Sequence, residues 1–368
     1  MTDSGMICME HRYGTHELQK IAVWRFPEEA RARFYEASLT NERGEMKYWF
    51  VYLHGGAWRD PRITHFSAEP SINALCQSTI AHADGTAGSS PMRGRIAGVA
   101  SISYRLSPHP KYRQETAPNR DDKDRVRNAR HPDHIDDVRK ALKFLDSHYG
   151  FDGTFSYVLV GHSVGATMGL QYVMELPREK GAGRRGPFPG PEPHAVVGVE
   201  GLYDLPGLVK RCGDGYREFI AGAYGEEKEL WEKMSPALLQ EDWLEDGRTY
   251  NRLCHLVVLG WSPDDELVDG GEIDAMEETL RKWYFGVTKV SRNLEGSHDG
   301  IVEDGEAIAR LLVSTVEELD KIQDHLGRPS LHRAMARRRI ANEEATSFTQ
   351  GRFVVDAPGD DEPEGATN

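Results

Sequence analysis

Nowhere in the 368 residues does an apolar run approach the roughly 18 that a membrane-crossing helix needs. No membrane association is therefore expected. Cysteine is scarce: Cys8, Cys76, Cys212 and Cys254 lie far apart, with none of the short spacings of a metal site or a disulfide framework. No metal and no other cofactor is expected. The chain has no Asn-x-Ser/Thr sequon, and its first residues hold no basic stretch followed by an apolar one, so a reducing, cytoplasmic setting is expected. Positive charge is in deficit, with 45 Lys and Arg against 59 Asp and Glu and a net charge of −14, which argues against nucleic-acid binding.

What is present is organised around Val158-Leu159-Val160-Gly161-His162-Ser163-Val164-Gly165-Ala166. A β-branched run enters Gly-x-Ser-x-Gly and a helix-compatible segment leaves it, the strand, tight turn and helix of a nucleophile elbow. Gly161 and Gly165 must be small where strand and helix approach, and the turn lifts the Ser163 hydroxyl above the sheet. A second apolar run, Tyr48-Trp49-Phe50-Val51-Tyr52-Leu53, leads into His54-Gly55-Gly56-Ala57-Trp58. In the α/β-hydrolase arrangement the loop after this strand supplies backbone N–H groups to an oxyanion hole, and His54-Gly55-Gly56 is a form that loop takes. Gly55, Gly56 and Val164 are the expected donors.

Two further strands end in chemistry-bearing residues. Residues 255–260 are followed by Asp264, Asp265 and Glu266, where the acidic member of a triad sits. The pattern of residues leaves Asp264 and Asp265 as competitors, one of them serving as a helix N-cap. Residues 288–294 lead to His298, which completes the chain order Ser, Asp, His.

The expected fold class is α/β, an α/β-hydrolase fold with a mostly parallel central sheet flanked by helices and a small helical cap over residues 206–252. Residues 1–44 form an N-terminal segment whose first 17 residues read as loosely ordered. Residues 45–327 form the hydrolase domain. Residues 328–368 add a basic helix and an acidic, Pro/Gly-rich tail. Strands are expected at 96–104 and 195–205, and helices at 71–82, at 133–145 with Asp133 as N-cap, and at 302–322. The stretches 83–95, 111–130 and 177–193 read as surface loops.

Taken together, His54-Gly55-Gly56-Ala57-Trp58-Arg59-Asp60-Pro61, Tyr104-Arg105-Leu106-Ser107, His131-Pro132-x-His134-Ile135-x-Asp137-Val138, Gly161-His162-Ser163-Val164-Gly165-Ala166, Glu200-Gly201-Leu202-Tyr203-Asp204-Leu205 and Ser262-x-x-Asp265-Glu266-Leu267 resemble fungal kynurenine formamidase. The resemblance spans residues 45–325. It implies a serine hydrolase with Ser163 as nucleophile, Asp265 rather than Asp264 as acid and His298 as base. It further implies N-formyl-L-kynurenine as the small-molecule substrate, cleaved to L-kynurenine and formate in tryptophan breakdown. A carboxylesterase or arylesterase of the same fold is the competing reading. Trp58 and Tyr203 are candidates for stacking on a substrate ring, with core packing beside the site as the alternative. The long loops leave the oligomeric state open, a homodimer included.

Overall fold

The computed structural model describes residues 4–31, 39–81, 88–114, 124–150, 156–176, 190–239, 254–284 and 286–325. Its strands are β1 (Ile7–Arg12), β2 (Lys20–Arg25), β3 (Tyr48–Leu53), β4 (Thr79–Ala81), β5 (Ser89–Pro91), β6 (Ile96–Ile102), β7 (Ser156–His162), β8 (Ala195–Val199), β9 (Leu256–Gly260) and β10 (Val287–Ser291). All but β4 and β5 join one eight-stranded sheet in the order β1-β2-β6-β3-β7-β8-β9-β10. From β6 to β10 every pairing is parallel, while β2 runs antiparallel to both β1 and β6.

A strand buried on both faces reads as a continuous apolar run, because successive side chains point to opposite layers. In β3, Trp49, Val51 and Leu53 join one core layer, and Tyr48, Phe50 and Tyr52 join the other. β7 divides in the same way, Tyr157 and Leu159 against Val158 and Val160. The helices in chain order are α1 (Pro27–Arg31), α2 (Glu69–Gln77), α3 (Asp133–Tyr149), α4 (Val164–Val173), α5 (Leu205–Cys212), α6 (Asp214–Tyr224), α7 (Lys228–Met234), α8 (Gly270–Trp283), α9 (Gly300–Asp304) and α10 (Glu306–His325). The first layer is covered by α3, α4 and α8 with α5, α6 and α7 of the expected cap region, and the second by α2 and α10. Every residue of α4 is buried, and its polar members donate to backbone carbonyls, Thr167 to Leu202 at 2.7 Å and Gln171 to Met234 at 2.8 Å. No helix among the described residues is long and apolar enough to cross a membrane.

The structure departs from the sequence reading in several places. Residues expected to be loosely ordered form β1, and β2 follows it into the same sheet as the rest. The edge strand β1 is mostly exposed, so its sequence carries little apolar alternation. Asp133 is not the cap of α3: Pro132 holds that position, and the Asp133 carboxylate accepts the Arg130 N–H at 3.1 Å instead. The single helix expected over 302–322 is two, α9 and α10, separated by Gly305 at φ +76°, where a side chain would strike the start of α2. The helix expected over 71–82 ends at Gln77, and Thr79–Ala81 instead pairs antiparallel with Ser89–Pro91 from within the expected loop 83–95. Residues 82–87, 115–123, 177–189 and 240–253, with the helix and tail expected beyond 328, lie outside the described residues.

Buried charge ties the layers together. Arg95, fully buried at the start of β6, meets the Asp320 carboxylate of α10 at 2.7 and 2.9 Å and the Met46 carbonyl at 2.6 Å. Asp137 of α3 accepts from Gln19 at 2.7 Å and from the Arg105 backbone and guanidinium at 2.9 to 3.0 Å.

Candidate active site

Parallel strands deliver their C-terminal ends to one edge of the sheet. The register places Leu53 opposite Gly161, His162 opposite Val199, and Val199 and Ser291 opposite Gly260. Every expected site residue follows one of these ends directly or by a short loop. The register thus does the gathering that sequence distance conceals.

Ser163 lies between β7 and α4 at φ +55°, ψ −125°, a conformation that costs an L-residue energy. Its N–H donates to the Val199 carbonyl at 2.8 Å, so the neighbouring strand holds the strained turn. A side chain at Gly161 would strike the backbone of Gly165 and Ala166, and one at Gly165 would strike the Leu53 and His54 carbonyls. Both glycines are therefore required by close approach, and the second seats the elbow against the loop after β3.

That loop is held by a residue to which the sequence reading assigned no role. The Tyr104 hydroxyl lies 3.0 and 3.1 Å from the His54 and Gly55 carbonyl oxygens, and the His54 Nδ1–H donates to the Gly55 carbonyl at 2.9 Å. Each trans peptide points its N–H opposite its C=O. Tyr104 therefore turns the N–H groups of Gly55 and Gly56 to the side away from itself, and neither makes a hydrogen bond among the described residues. A Cβ built on Gly55 would lie 3.0 Å from the Ser163 Cβ, so the loop abuts the elbow. Val164, the first residue of α4, has a free helix-end N–H by position. The His54 ring stacks on Tyr104 at 4.4 Å, and burial pushes its imidazole down to about 4, so it is a neutral strut.

His298 follows β10 and is buried. Its Nδ1 is 2.9 Å from Asp265 Oδ2, and its backbone N–H donates to Glu266 at 3.2 Å. Asp265 Oδ1 accepts the N–H groups of Leu267 and Val268 at 2.8 Å each, which fixes the carboxylate in the loop. Asp264, by contrast, is exposed, and its own N–H caps onto Ser262. Of the two, it is Asp265 that meets the His298 ring. The His298 ring packs 4.7 Å from that of His162, the residue before Ser163. No hydrogen bond joins the Ser163 hydroxyl to His298 among the described residues, and such contacts are commonly loose until substrate binds.

The sequence reading included Glu200, which follows β8, in a motif but gave it no role. It is 1% exposed, stands at φ +51°, and puts Oε2 3.5 Å from His298 Nδ1 and 3.3 Å from His162 Nε2. Burial, and then the charges of Asp265, Glu266 and Asp299, push its carboxyl up to about 9. Burial followed by the charge of His298 holds His162 well below the ordinary imidazole range. The ligand atoms of His162, Glu200 and His298 lie within 4.8 Å of one another. They form a hydrogen-bonded set, and a cation would have to displace the Nδ1 hydrogen that His298 shares with Asp265.

Trp58 and Tyr203 are both buried to 1% exposure or less. Trp58 packs on Tyr224 at 5.1 Å and Phe219 at 6.2 Å, while the Tyr203 ring lies against Gly198 and Gly201. Neither shows an open face in this structure, and both pack beside the site. The motif residues His134 and Asp137 likewise hold the scaffold, His134 by a 3.1 Å contact with Ser107. A search of the sequence would flag Tyr104 and Glu200 only as polar residues at the ends of apolar strands.

No family model matches the chain. A kynurenine formamidase-like hydrolase of Fusarium equiseti is 30% identical over 284 residues, 75% of this chain and 85% of that protein. A kynurenine formamidase of Aspergillus versicolor is 32% identical over 287 residues, 71% and 86% of the two chains, and one of Meyerozyma guilliermondii is 30% identical over 274 residues, 73% and 79%. Among solved structures, esterase B of Lactobacillus rhamnosis matches with a TM-score of 0.56 at 16% identity, over 89% of this chain and 90% of that one. An arylesterase matches with a TM-score of 0.51 at 14% identity, over 85% of each chain. At such identities the solved structures speak for the fold alone, but the sequence relatives reach further, and the chain belongs to the kynurenine formamidase family as a hydrolase of the α/β-hydrolase fold.

Proposed function

We propose that the protein hydrolyses N-formyl-L-kynurenine to L-kynurenine and formate, a step of tryptophan breakdown, through Ser163, His298 and Asp265. The observation that carries the reading is the 2.9 Å pairing of His298 Nδ1 with Asp265 at the sheet edge that presents the strained Ser163. With Nδ1 bound to Asp265, Nε2 is the nitrogen left to take the serine proton. Ser163 Oγ attacks the formyl carbon, and the N–H groups of Gly55, Gly56 and Val164 receive the oxyanion. Protonated His298 gives its proton to the departing aryl amine as the C–N bond breaks. Water then attacks the formyl-enzyme with His298 again as base, and formate leaves as Ser163 regains its proton.

An aryl amine leaves more readily than an alkyl amine because its lone pair is delocalised into the ring. The chain itself supplies the nucleophile, the base and the donors. The test is formate release from N-formyl-L-kynurenine by the purified full chain, measured beside p-nitrophenyl acetate and butyrate. Turnover of the formamide at the highest kcat/KM is expected. A clear preference for the butyrate ester would replace this reading with that of a carboxylesterase.

A further inference from the structure

Asp265 accounts for only one of the two carboxyls at His298 Nδ1. Glu200 arrives from a different strand, with a backbone that spends strain to place it, held by donation of its N–H to the Gly260 carbonyl at 2.8 Å. Its Oε1 is buried without a partner, and no Lys or Arg among the described residues pairs with Glu200, Asp265 or Glu266. Two carboxylates at one imidazole nitrogen, without a compensating cation, do not both stay ionised. Asp265 has three donors, Leu267 and Val268 N–H and His298 Nδ1–H, and so holds the charge. Glu200 then keeps a proton.

We propose that Glu200 is a second, protonated acid of the relay: a positioning residue that bridges His162 and His298 and becomes the partner of His298 when Asp265 loses its charge. Its O–H donates from Oε2 to Nε2 of neutral His162, while the Nδ1 hydrogen of His298 goes to Asp265. The pocket thus carries one negative charge, which stabilises the imidazolium that forms during attack. The groups that act on Glu200 are His162 after β7, Asp265 and Glu266 after β9, His298 and Asp299 after β10, the Ser262 backbone, and the phenols of Tyr52 and Tyr203. Ionisation of Glu200 on loss of Asp265 releases its proton to solvent.

The inference rests on the triad assignment, not on the substrate named above, so p-nitrophenyl acetate serves as the assay alongside N-formyl-L-kynurenine. Failure on the formamide alone would remove the substrate and leave this test standing. Where a triad aspartate has no understudy, Asp→Asn costs about 10⁴-fold in kcat. Here Asp265→Asn is expected to cost about 10²-fold, and the double variant Asp265→Asn/Glu200→Gln the full amount, about 10⁴-fold. The residual activity of Asp265→Asn should rise with pH as Glu200 ionises, a dependence absent from the double variant. Glu200→Ala should lose about tenfold, and Glu200→Gln should recover most of that loss. The far-downfield proton NMR signal of His298 Nδ1–H gives a readout without substrate: it should move in Glu200→Ala and return in Glu200→Gln. Thermal melts verify that each variant is folded. Equal activity of Asp265→Asn and the double variant, with no difference in pH profile, would overturn the proposal. So would a Glu200→Gln variant as impaired as Glu200→Ala with the His298 proton signal unmoved.

Discussion

Asp137 and Glu200 are both shut away from solvent near strand ends on the catalytic side of the sheet, yet their surroundings differ in kind. Asp137 is saturated by Gln19, the Arg105 guanidinium and the Arg105 backbone, and joins β2, the segment after β6 and α3. Glu200 meets two imidazoles, other acids and an unpartnered oxygen of its own. A fully satisfied buried charge holds a scaffold together, whereas an under-satisfied one retains a protonation state that chemistry can use. The surroundings of Asp137 form a holding side, and those of Glu200 belong to the side proposed to react.

The distinction can be tested in order of effect. Ser163→Ala, on the reacting side, should lower turnover by about 10⁶-fold with the melting temperature nearly unchanged. Retained turnover would remove the proposed nucleophile. Asp137→Ala should do the reverse, costing about 3–5 kcal/mol of unfolding free energy because Arg105 loses its buried partner, with turnover per folded molecule kept. Urea melts and active-site-normalised rates measure the two quantities separately. If Asp137→Ala depressed kcat as Ser163→Ala does, the division between holding and reacting would fail.

The third prediction concerns pH. The Glu200 carboxyl, at about 9 in the folded chain and within the ordinary carboxylate range when unfolded, binds its proton more tightly in the fold. Stability linked to this group is therefore complete at low pH and declines as pH rises from the ordinary carboxylate range towards about 9. The wild type should lose melting temperature over that window relative to Glu200→Gln, and parallel curves would contradict it. The smallest effect belongs to Tyr104→Phe, which frees the His54 and Gly55 carbonyls and should lower kcat about tenfold with KM little changed. A rise in KM alone would mean that the phenol supports binding rather than the oxyanion loop.

Much of the reacting side was legible in the residues because its parts carry steric demands. Gly161 and Gly165 have no alternative where the elbow meets the loop after β3, and the order Ser163, acid, His298 follows from strand succession. Asp264 and Asp265 could not be told apart by spacing, since only the path of the loop decides which carboxylate turns inward. Glu200 was invisible for a different reason. An acid after an apolar strand resembles any solvent-facing carboxylate until the pairing of Val199 with Gly260 brings it beside the distant loop that carries Asp265. Neither of the first two strands was read from the sequence: β2 was passed over although Ile21-Ala22-Val23-Trp24 is an apolar run, and β1, an edge strand with exposed side chains, leaves almost no periodic trace.

Apart from Glu175, the non-glycine residues with positive φ among those described are Ala57, Trp58, Ser163 and Glu200. Stored tension of this kind can be let out one residue at a time. Glycine at position 57 would adopt its φ of +51° without steric objection and should make the chain harder to unfold. It would also slacken the backbone beside Gly55 and Gly56, the proposed oxyanion donors, so a gain in heat resistance should come with slower turnover.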